Sequence, residues 1–267
     1  MAGMTQAKTA IGIDIGGTGI KGGVVDLTTG EMITPRVKLS TPEGGKPDDI
    51  AETTKAVLEQ LDADPSLPIG VDFPAVVKHG RTMSAANVSK KWIGFEAEAF
   101  FEKALGRQIL FVNDADAAGY AESEYGAAKG RDGLIMLTTL GTGIGTALII
   151  DGLLVPNTEL GHLEIDGKDA EKKAAYSAKE REDLSWEKWG KRLTRYYRTL
   201  EALFSPDLFI VGGGVSKNFS EWSGYVEIET ELVPAKFLNN AGILGAAALA
   251  AKQKTSPENP AKEQEKK

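Results

Sequence analysis

Apolar residues in this chain fall into short β-branched runs broken at glycine, alternating with longer stretches at helical spacing. Two apolar runs, 9–15 and 22–27, flank a glycine-rich turn, and Thr28-Thr-Gly-Glu31 closes a further hairpin. A strand is predicted over 32–39, then a Pro/Gly loop over 42–47. Pro47-Asp-Asp opens a helix with Ile50, Val57, Leu58 and Leu61 at helical spacing. Residues 69–73 form a short buried strand that stops at Pro74, and 75–92 is polar and irregular, the composition of a ligand loop. A helix over 96–105 ends at Gly106; strand 109–112 then feeds Asn113-Asp-Ala-Asp-Ala-Ala-Gly119, which starts a helix reaching about Tyr125.

The opening pattern then returns. Apolar runs 134–140 and 147–150 flank Gly141-Thr-Gly-Ile-Gly-Thr146, so Gly-Thr-Gly-Ile occurs at 17–20 and again at 141–144. This echo predicts a duplicated unit, two α/β halves that each open with a hairpin whose turn holds phosphate. Segment 170–183 is charged and reads as an exposed helix or loop. Residues 185–204 form an amphipathic helix whose Trp186, Trp189, Leu193, Tyr197, Leu200 and Phe204 pack into a core. Strand 208–211, a glycine turn at 212–216, an alternating edge strand over 226–232 and an Ala-rich helix over 241–252 complete the order. Residues 1–8 and 253–267 read as disordered flanks.

Composition narrows the classes. The 267 residues carry a net charge of −7, which argues against a nucleic-acid-binding surface. There is no cysteine, so disulfides and thiolate zinc sites are excluded, and two histidines, His79 and His162, make no histidine-rich metal centre. The N-terminus has no apolar signal core and no apolar run approaches spanning length, so a cytoplasmic protein without membrane contact is expected.

The first turn carries Asp14, Thr18 and Lys21 among glycines, and backbone N–H groups turned inward make an anion cradle. A carboxylate beside it suggests magnesium. Gly17-x-Gly19-x-x-Gly22 matches the dinucleotide fingerprint and, with Val24, a protein-kinase glycine loop. The first needs a helix directly after the glycines, where this chain has a strand; the second needs His-Arg-Asp and Asp-Phe-Gly, which are absent. Asn113, Asp114 and Asp116 stand where a helix begins, and capping accounts for one of them. Glu159-x-x-His162 with Glu164 beyond offers a weak transition-metal set.

Together, Asp14-Ile-Gly-Gly-Thr-Gly-Ile-Lys21, Asn113-Asp-Ala-Asp-Ala-Ala-Gly119, Leu140-Gly-Thr-Gly-Ile-Gly145 and Glu159-Leu-Gly-His162 resemble the ROK sugar-kinase family. Asp72-Phe-Pro-Ala75, Asn87-Val-Ser-Lys-Lys-Trp92 and Phe204-Ser-Pro-Asp-Leu-Phe-Ile-Val-Gly-Gly-Gly-Val-Ser-Lys217 are similar to its polyphosphate glucokinase branch. The resemblance covers about 9–252. It implies a duplicated actin/hexokinase-like (ribonuclease-H-like) α/β fold of two domains facing an interdomain cleft. One domain would comprise 9–114 plus the returning helix 241–252, the other 115–240.

The resemblance further implies phosphorylation of the 6-hydroxyl of glucose, and of mannose, by polyphosphate or ATP. Asp114 would be the general base, with Asn87, Asn113, Glu159 and His162 as further sugar ligands. Gly16, Gly17, Thr18, Lys21, Gly141, Thr142 and Gly143 would orient donor phosphates, Gly213 and Gly214 would flank adenosine, and Asp14 would hold Mg2+ through water. Many relatives carry a zinc-binding cysteine cluster after the histidine; this chain lacks it, so no zinc is expected. A homodimer is implied as well. For a polyphosphate chain the Lys90–Lys91 pair is the better candidate contact, because the stripe Lys188, Lys191, Arg192, Arg195 and Arg198 lies opposite an aromatic face and reads as solvated.

Three other readings stay open. They are an ATP-only hexose or N-acetylhexosamine kinase, a sugar-responsive repressor of the same family, and an actin-like ATPase. The repressor would need a DNA-binding segment ahead of the first turn, where only about ten residues stand.

Overall fold

A computed structural model describes residues 8–85 and 88–255. Strands β1 (Thr9–Ile15) and β2 (Ile20–Asp26) form an antiparallel hairpin around the first glycine turn. The strand predicted over 32–39 is instead two pieces, β3 (Glu31–Met32) and β4 (Val37–Leu39), each beside β2. Pro35 has no N–H to donate to a ladder, and the Val24 N–H is accepted by the Thr34 hydroxyl at 3.0 Å instead of by a strand carbonyl. Helix α1 (Pro47–Leu61) starts with proline in its first turn and ends at Asp62 in the left-handed region.

Strand β5 (Ile69–Phe73) runs parallel to β1. Segment 75–92 differs from expectation. It folds into a hairpin, β6 (Val77–Lys78) and β7 (Arg81–Thr82), and a 3-10 turn over Lys90–Trp92. Trp92 is wholly buried among Phe73, Phe101 and Phe111, its indole N–H donating to the Gly45 carbonyl at 2.8 Å. A composition count hid one large core residue in a polar loop. Helix α2 (Ala97–Leu105), strand β8 (Leu110–Asn113) and helix α3 (Asp114–Tyr125) follow.

The second half repeats the first. Strands β9 (Leu134–Leu140) and β10 (Ile144–Ile150) form a hairpin, with β11 (Leu153–Val155) at its edge. A small hairpin, β12 (Glu164–Ile165) and β13 (Lys168–Asp169), precedes two short helices, α4 (Glu171–Ala174) and α5 (Tyr176–Arg181). Ala170, Ala174, Ala175 and Ala178 are buried, so the charged segment is anchored through its alanines rather than fully exposed. Helix α6 (Trp186–Phe204) is capped by Ser185, whose hydroxyl accepts from Lys188 N–H. Strand β14 (Leu208–Gly212), helix α7 (Phe219–Trp222), strand β15 (Glu231–Pro234) and helix α8 (Ala241–Thr255) complete the chain.

Only the end of the predicted 226–232 strand is a strand. Glu227 N–H donates to Thr194 Oγ1, and Glu229 and Thr230 N–H both donate to Glu201 Oε1. Side chains of α6 thereby satisfy a backbone that alternation alone would assign to a ladder. Residue 8 and residues 253–255, expected to be loose, are ordered. Lys8 O accepts the Leu27 N–H at 2.8 Å, and α8 continues to Thr255. The remaining flank residues, 1–7 and 256–267, lie outside the described residues.

The first sheet runs β3-β2-β1-β5-β8 with β4 also on β2; the second runs β11-β10-β9-β14-β15. In each, a hairpin is followed by two parallel strands in the same order, so the duplication read from four residues extends to the topology. Helices α1 and α2 cover the outer face of the first sheet, and α6 covers that of the second. Helices α3 and α8 lie between the sheets, joining Ala10 and Val25 to Ile135, Leu137, Ile149 and Ile210 in one apolar layer. Their approach depends on missing side chains. A Cβ at Gly12 would stand 1.8 Å from the Ile243 carbonyl oxygen, and one at Gly245 1.7 Å from that of Ala117. Burial on both faces explains why α8 is apolar all round over residues 241–251.

Candidate active site

Each hairpin presents a glycine turn at the same end of its sheet. In the first, Gly16 N–H donates to Gly19 O at 3.0 Å, and Thr41 Oγ1 donates to Gly16 O. In the second, Gly141 N–H donates to Gly143 O at 3.0 Å, and Ser177 holds the turn through N–H to Gly141 O and Oγ–H to Thr142 O. Gly17, Thr18 and Thr142 are solvent-exposed. The third turn packs beneath the second: Gly213, at φ +81°, could carry no Cβ because Leu140 O would be 2.4 Å away, and Gly214 is exposed beside it.

Asp14 closes β1 opposite Lys21 on β2, and Lys21 Nζ donates to Asp14 Oδ2 at 2.6 Å with both side chains only 16–20% exposed. On the neighbouring strand, in register with Asp14, stands Asp72. It is wholly buried, and among the described residues neither carboxylate oxygen has a hydrogen-bond partner. Burial pushes its carboxyl well above the usual carboxylate range, and the charges of Asp14 and Asp114 push the same way. The sequence reading passed over Asp72 as part of a resemblance motif. Its signal was there: a carboxylate inside the apolar run Ile69-Gly-Val-Asp-Phe73.

Asn113, Asp114 and Asp116 divide the start of α3 between them. Asn113 is the cap, accepting from Asp116 N–H at 3.0 Å while its amide donates to Ala75 O at 3.0 Å. That releases Asp114, whose Oδ1 accepts only from Ala115 N–H among the described residues. Its carboxyl is pushed up to about 7, first by desolvation, against the Ala115 N–H, with the charges of Asp14 and Glu159 adding. By surface area Asp114 is exposed, so the group is ringed by protein yet open to solvent on one side, the situation of a cleft residue rather than a core one. Asp116 is only 2% exposed. Its Oδ2 accepts from Asn157 N–H at 2.8 Å, Oδ1 has no partner among the described residues, and burial raises the carboxyl to about 7.

From the second half come Glu159 and His162, on either side of a 3-10 turn over Leu160–His162. Thr146 Oγ1 positions that turn by donating to Thr158 O and accepting from Leu160 N–H. His162 Nδ1 is 3.0 Å from Asp169 Oδ2, and Nε2 is 4.0 Å from Glu159 Oε2. The Asp169 bond raises the imidazole's pKa, and partial burial raises that of Glu159 against the pull of His162. Glu171, which the sequence reading left unassigned, accepts from Ile144 N–H at 2.8 Å and lies against Gly143, bracing the second turn.

Asp114 is thus within electrostatic reach of Asp14 and Glu159, and Glu159 of His162. Asn87 lies outside the described residues. Lys90 and Lys91 are exposed, with no ion pair among the described residues, on the turn next to it. His79 is an exposed residue in the left-handed tip of the β6–β7 hairpin. The basic stripe of α6 is mostly paired: Lys191 with Glu187, Arg192 with Glu182, Arg195 with Asp166 and Arg198 with Glu227. No helix among the described residues is long and apolar enough to cross a membrane.

Comparison with known proteins agrees with this layout. Residues 10–175 match the model of the ROK family. The polyphosphate glucokinase of Mycobacterium tuberculosis is 48% identical over 246 residues, 92% of each chain, and that of Mycobacterium leprae is 47% identical over 92% of this chain and 76% of its own. The crystal structure of the inorganic polyphosphate/ATP-glucomannokinase from Arthrobacter sp. strain KM superposes with a TM-score of 0.87 at 50% identity, covering 92% of this chain and all of that one. A ROK glucokinase from Streptomyces griseus, at 23% identity and a TM-score of 0.76, shares the fold. With its duplicated actin/hexokinase-like architecture, this chain belongs to the ROK family, on the branch of the polyphosphate glucokinases.

Proposed function

We propose that this chain is a hexokinase-type phosphotransferase that phosphorylates the 6-hydroxyl of glucose, and of mannose, using polyphosphate or ATP. The observation that carries the reading is Asp114, freed from capping by Asn113 and standing between Asp14 of one half and Glu159 of the other. The relatives named as polyphosphate glucokinases support the reaction and its donor; the glucomannokinase supports ATP and mannose.

The sugar would lie over Asp114, held by Asn87, Asn113, Glu159 and His162. Asp114 accepts the hydroxyl proton as the sugar oxygen attacks the terminal phosphorus, and the bond from that phosphorus to its bridging oxygen breaks, releasing ADP or a polyphosphate one unit shorter. A carboxylate raised to about 7 is a better proton acceptor than an ordinary one at neutral pH. The donor phosphates rest on Gly16, Gly17, Thr18 and Lys21 from one side and Gly141, Thr142 and Gly143 from the other. Gly213, packed under the second turn, and Gly214, exposed beside it, would flank adenosine when ATP is the donor. Closure of one domain (9–114 with 241–252) on the other (115–240) would exclude water from the transfer.

The residues fit Mg2+. Asp14 offers one hard oxygen beside the phosphate turn. Among the described residues no three carboxylate or histidine side chains form a metal cage, which suits an ion that takes its other ligands from water and phosphates. When bound it would neutralise charge on the transferring phosphoryl group. Zinc has no thiolates here to hold it. We take the compartment as cytoplasm and the assembly as a homodimer.

A matrix of donors (ATP, long-chain polyphosphate) against acceptors (glucose, mannose, N-acetylglucosamine) tests this reading. Sugar 6-phosphate should form from glucose with both donors. Donor hydrolysis that is indifferent to sugar would overturn the kinase assignment.

A further inference from the structure

Beside the second glycine turn, on the far side of α4, lies a cavity of about 300 Å³ that the mechanism does not use. Its walls are α4, the β12–β13 hairpin and α6, which bring Lys168, Lys173, Arg192 and Arg195 around one opening, with Tyr196 beneath. Segment 171–177 joins the two places. Glu171 and Ser177 are bonded to the 141–144 turn, and Lys173 and Ala174 between them line the cavity.

The cations are of two kinds. Arg195 is clamped by Asp166 through Nε and Nη2, at 3.0 and 2.7 Å, and Arg192 by Glu182 at 2.6 Å and Lys173 O at 3.1 Å. These contacts fix both guanidinium planes and leave donors unspent on each. Lys168 and Lys173 have no ion pair among the described residues. Four cations against Asp166 and Glu182 leave a local excess of positive charge on a chain whose net charge is −7.

We propose that this cavity is a polyanion subsite that holds the trailing phosphates of a polyphosphate chain whose terminal unit lies at the 141–143 turn. The inference rests on the polyphosphate reading above and adds a place for the donor beyond the transferring group. Fixed guanidiniums and free ammoniums suit a chain of identical anionic units, which needs charge along a track rather than one shaped pocket. ATP, with three phosphates and a bulky nucleoside, has no anionic tail to extend there.

The test is the double variant Lys168→Ala/Lys173→Ala, assayed with glucose and, in turn, ATP, tripolyphosphate and long-chain polyphosphate. Losing two charge-assisted contacts should raise KM for the long chain about tenfold and flatten its salt dependence. KM for ATP and kcat with either donor should stay at parent values. Lys168→Arg/Lys173→Arg should restore the long-chain KM. An unchanged long-chain KM, or an equal rise for ATP, overturns the subsite while leaving the kinase reading intact. A parent enzyme that turns over ATP but no polyphosphate overturns both the subsite and the polyphosphate part of that reading.

Discussion

Asn157, from the second half of the chain, pairs with Val77 of the first half as a neighbouring strand would. Val77 N–H donates to Asn157 Oδ1 at 2.7 Å, and Asn157 Nδ2 donates to Val77 O at 2.8 Å. Its own N–H donates to the buried Asp116, and its φ of 60° is a conformation that asparagine tolerates better than most residues. One residue thus ties the β6–β7 hairpin, through its side chain, and α3, through its backbone N–H, to the loop leading to Glu159.

Asn157→Ala should therefore cost about 1–3 kcal/mol of stability, because both Val77 backbone groups lose their partner and the left-handed backbone loses a residue suited to it. Asn157→Gly keeps the backbone and isolates the side-chain loss, so it should fall between parent and alanine variant. Denaturant unfolding measures both. Values within about 0.5 kcal/mol of parent would show that the clip is not a stabilising contact.

Asp114→Asn should leave glucose binding within a few-fold of parent and lower kcat at least a hundredfold, since proton acceptance is lost while shape and polarity remain. Calorimetry with glucose and steady-state rates with ATP separate the two. Near-normal turnover would remove Asp114 from the role of base. In the parent, the acid limb of kcat/KM should fall near the raised value of about 7, with activity rising as Asp114 ionises.

The parts of this site legible in the sequence were those set by local spacing. Asp14 and Lys21 face each other because a four-residue turn joins their strands, and the 141 turn could be seen because it repeats the first. Asp114 stood out within a cluster of three polar residues, but which of them caps α3 depends on Ala75 O, from a segment far away in sequence. Asp72, Asn157 and Glu171 stayed hidden for the same reason. Each gets its meaning from a partner on another element: the parallel neighbour β1, the hairpin at Val77, and the backbone of Ile144. The lost strand over 226–230 is a further case, since alternation cannot reveal that α6 side chains take the place of a ladder.

Gly245→Ala probes the joint between the halves. The added methyl would stand 1.7 Å from Ala117 O, a backbone atom of α3 that cannot swing aside, so α8 must shift off the central layer. Overpacking of this kind costs about 1–3 kcal/mol or more, against the gain in helix propensity of about 1 kcal/mol expected on an exposed helix. Thermal unfolding decides the sign. A stabilised variant would mean that α3 and α8 can separate without loss.

Asp72 sets a pH-dependent limit on stability. Its folded-state pKa is raised, while in the unfolded chain it returns to about 3.8, so the folded state binds the proton more tightly. The linkage sign follows: stability is full below pH 3.8 and declines as pH rises toward the folded value, because ionising Asp72 in place strands a charge with no partner. Asp116, raised to about 7 by burial, acts in the same direction. Asp72→Asn keeps the shape and polarity of the side chain and removes only the ionisation. It should raise Tm by roughly 5 °C at pH 8 and leave it nearly unchanged at pH 4.5, measured in a chelator so that no cation at Asp14 compensates the charge. An equal shift at both pH values would trace the effect to packing, and a drop at pH 8 would mean that ionised Asp72 is held by a partner, with Lys21 the nearest cation to supply one.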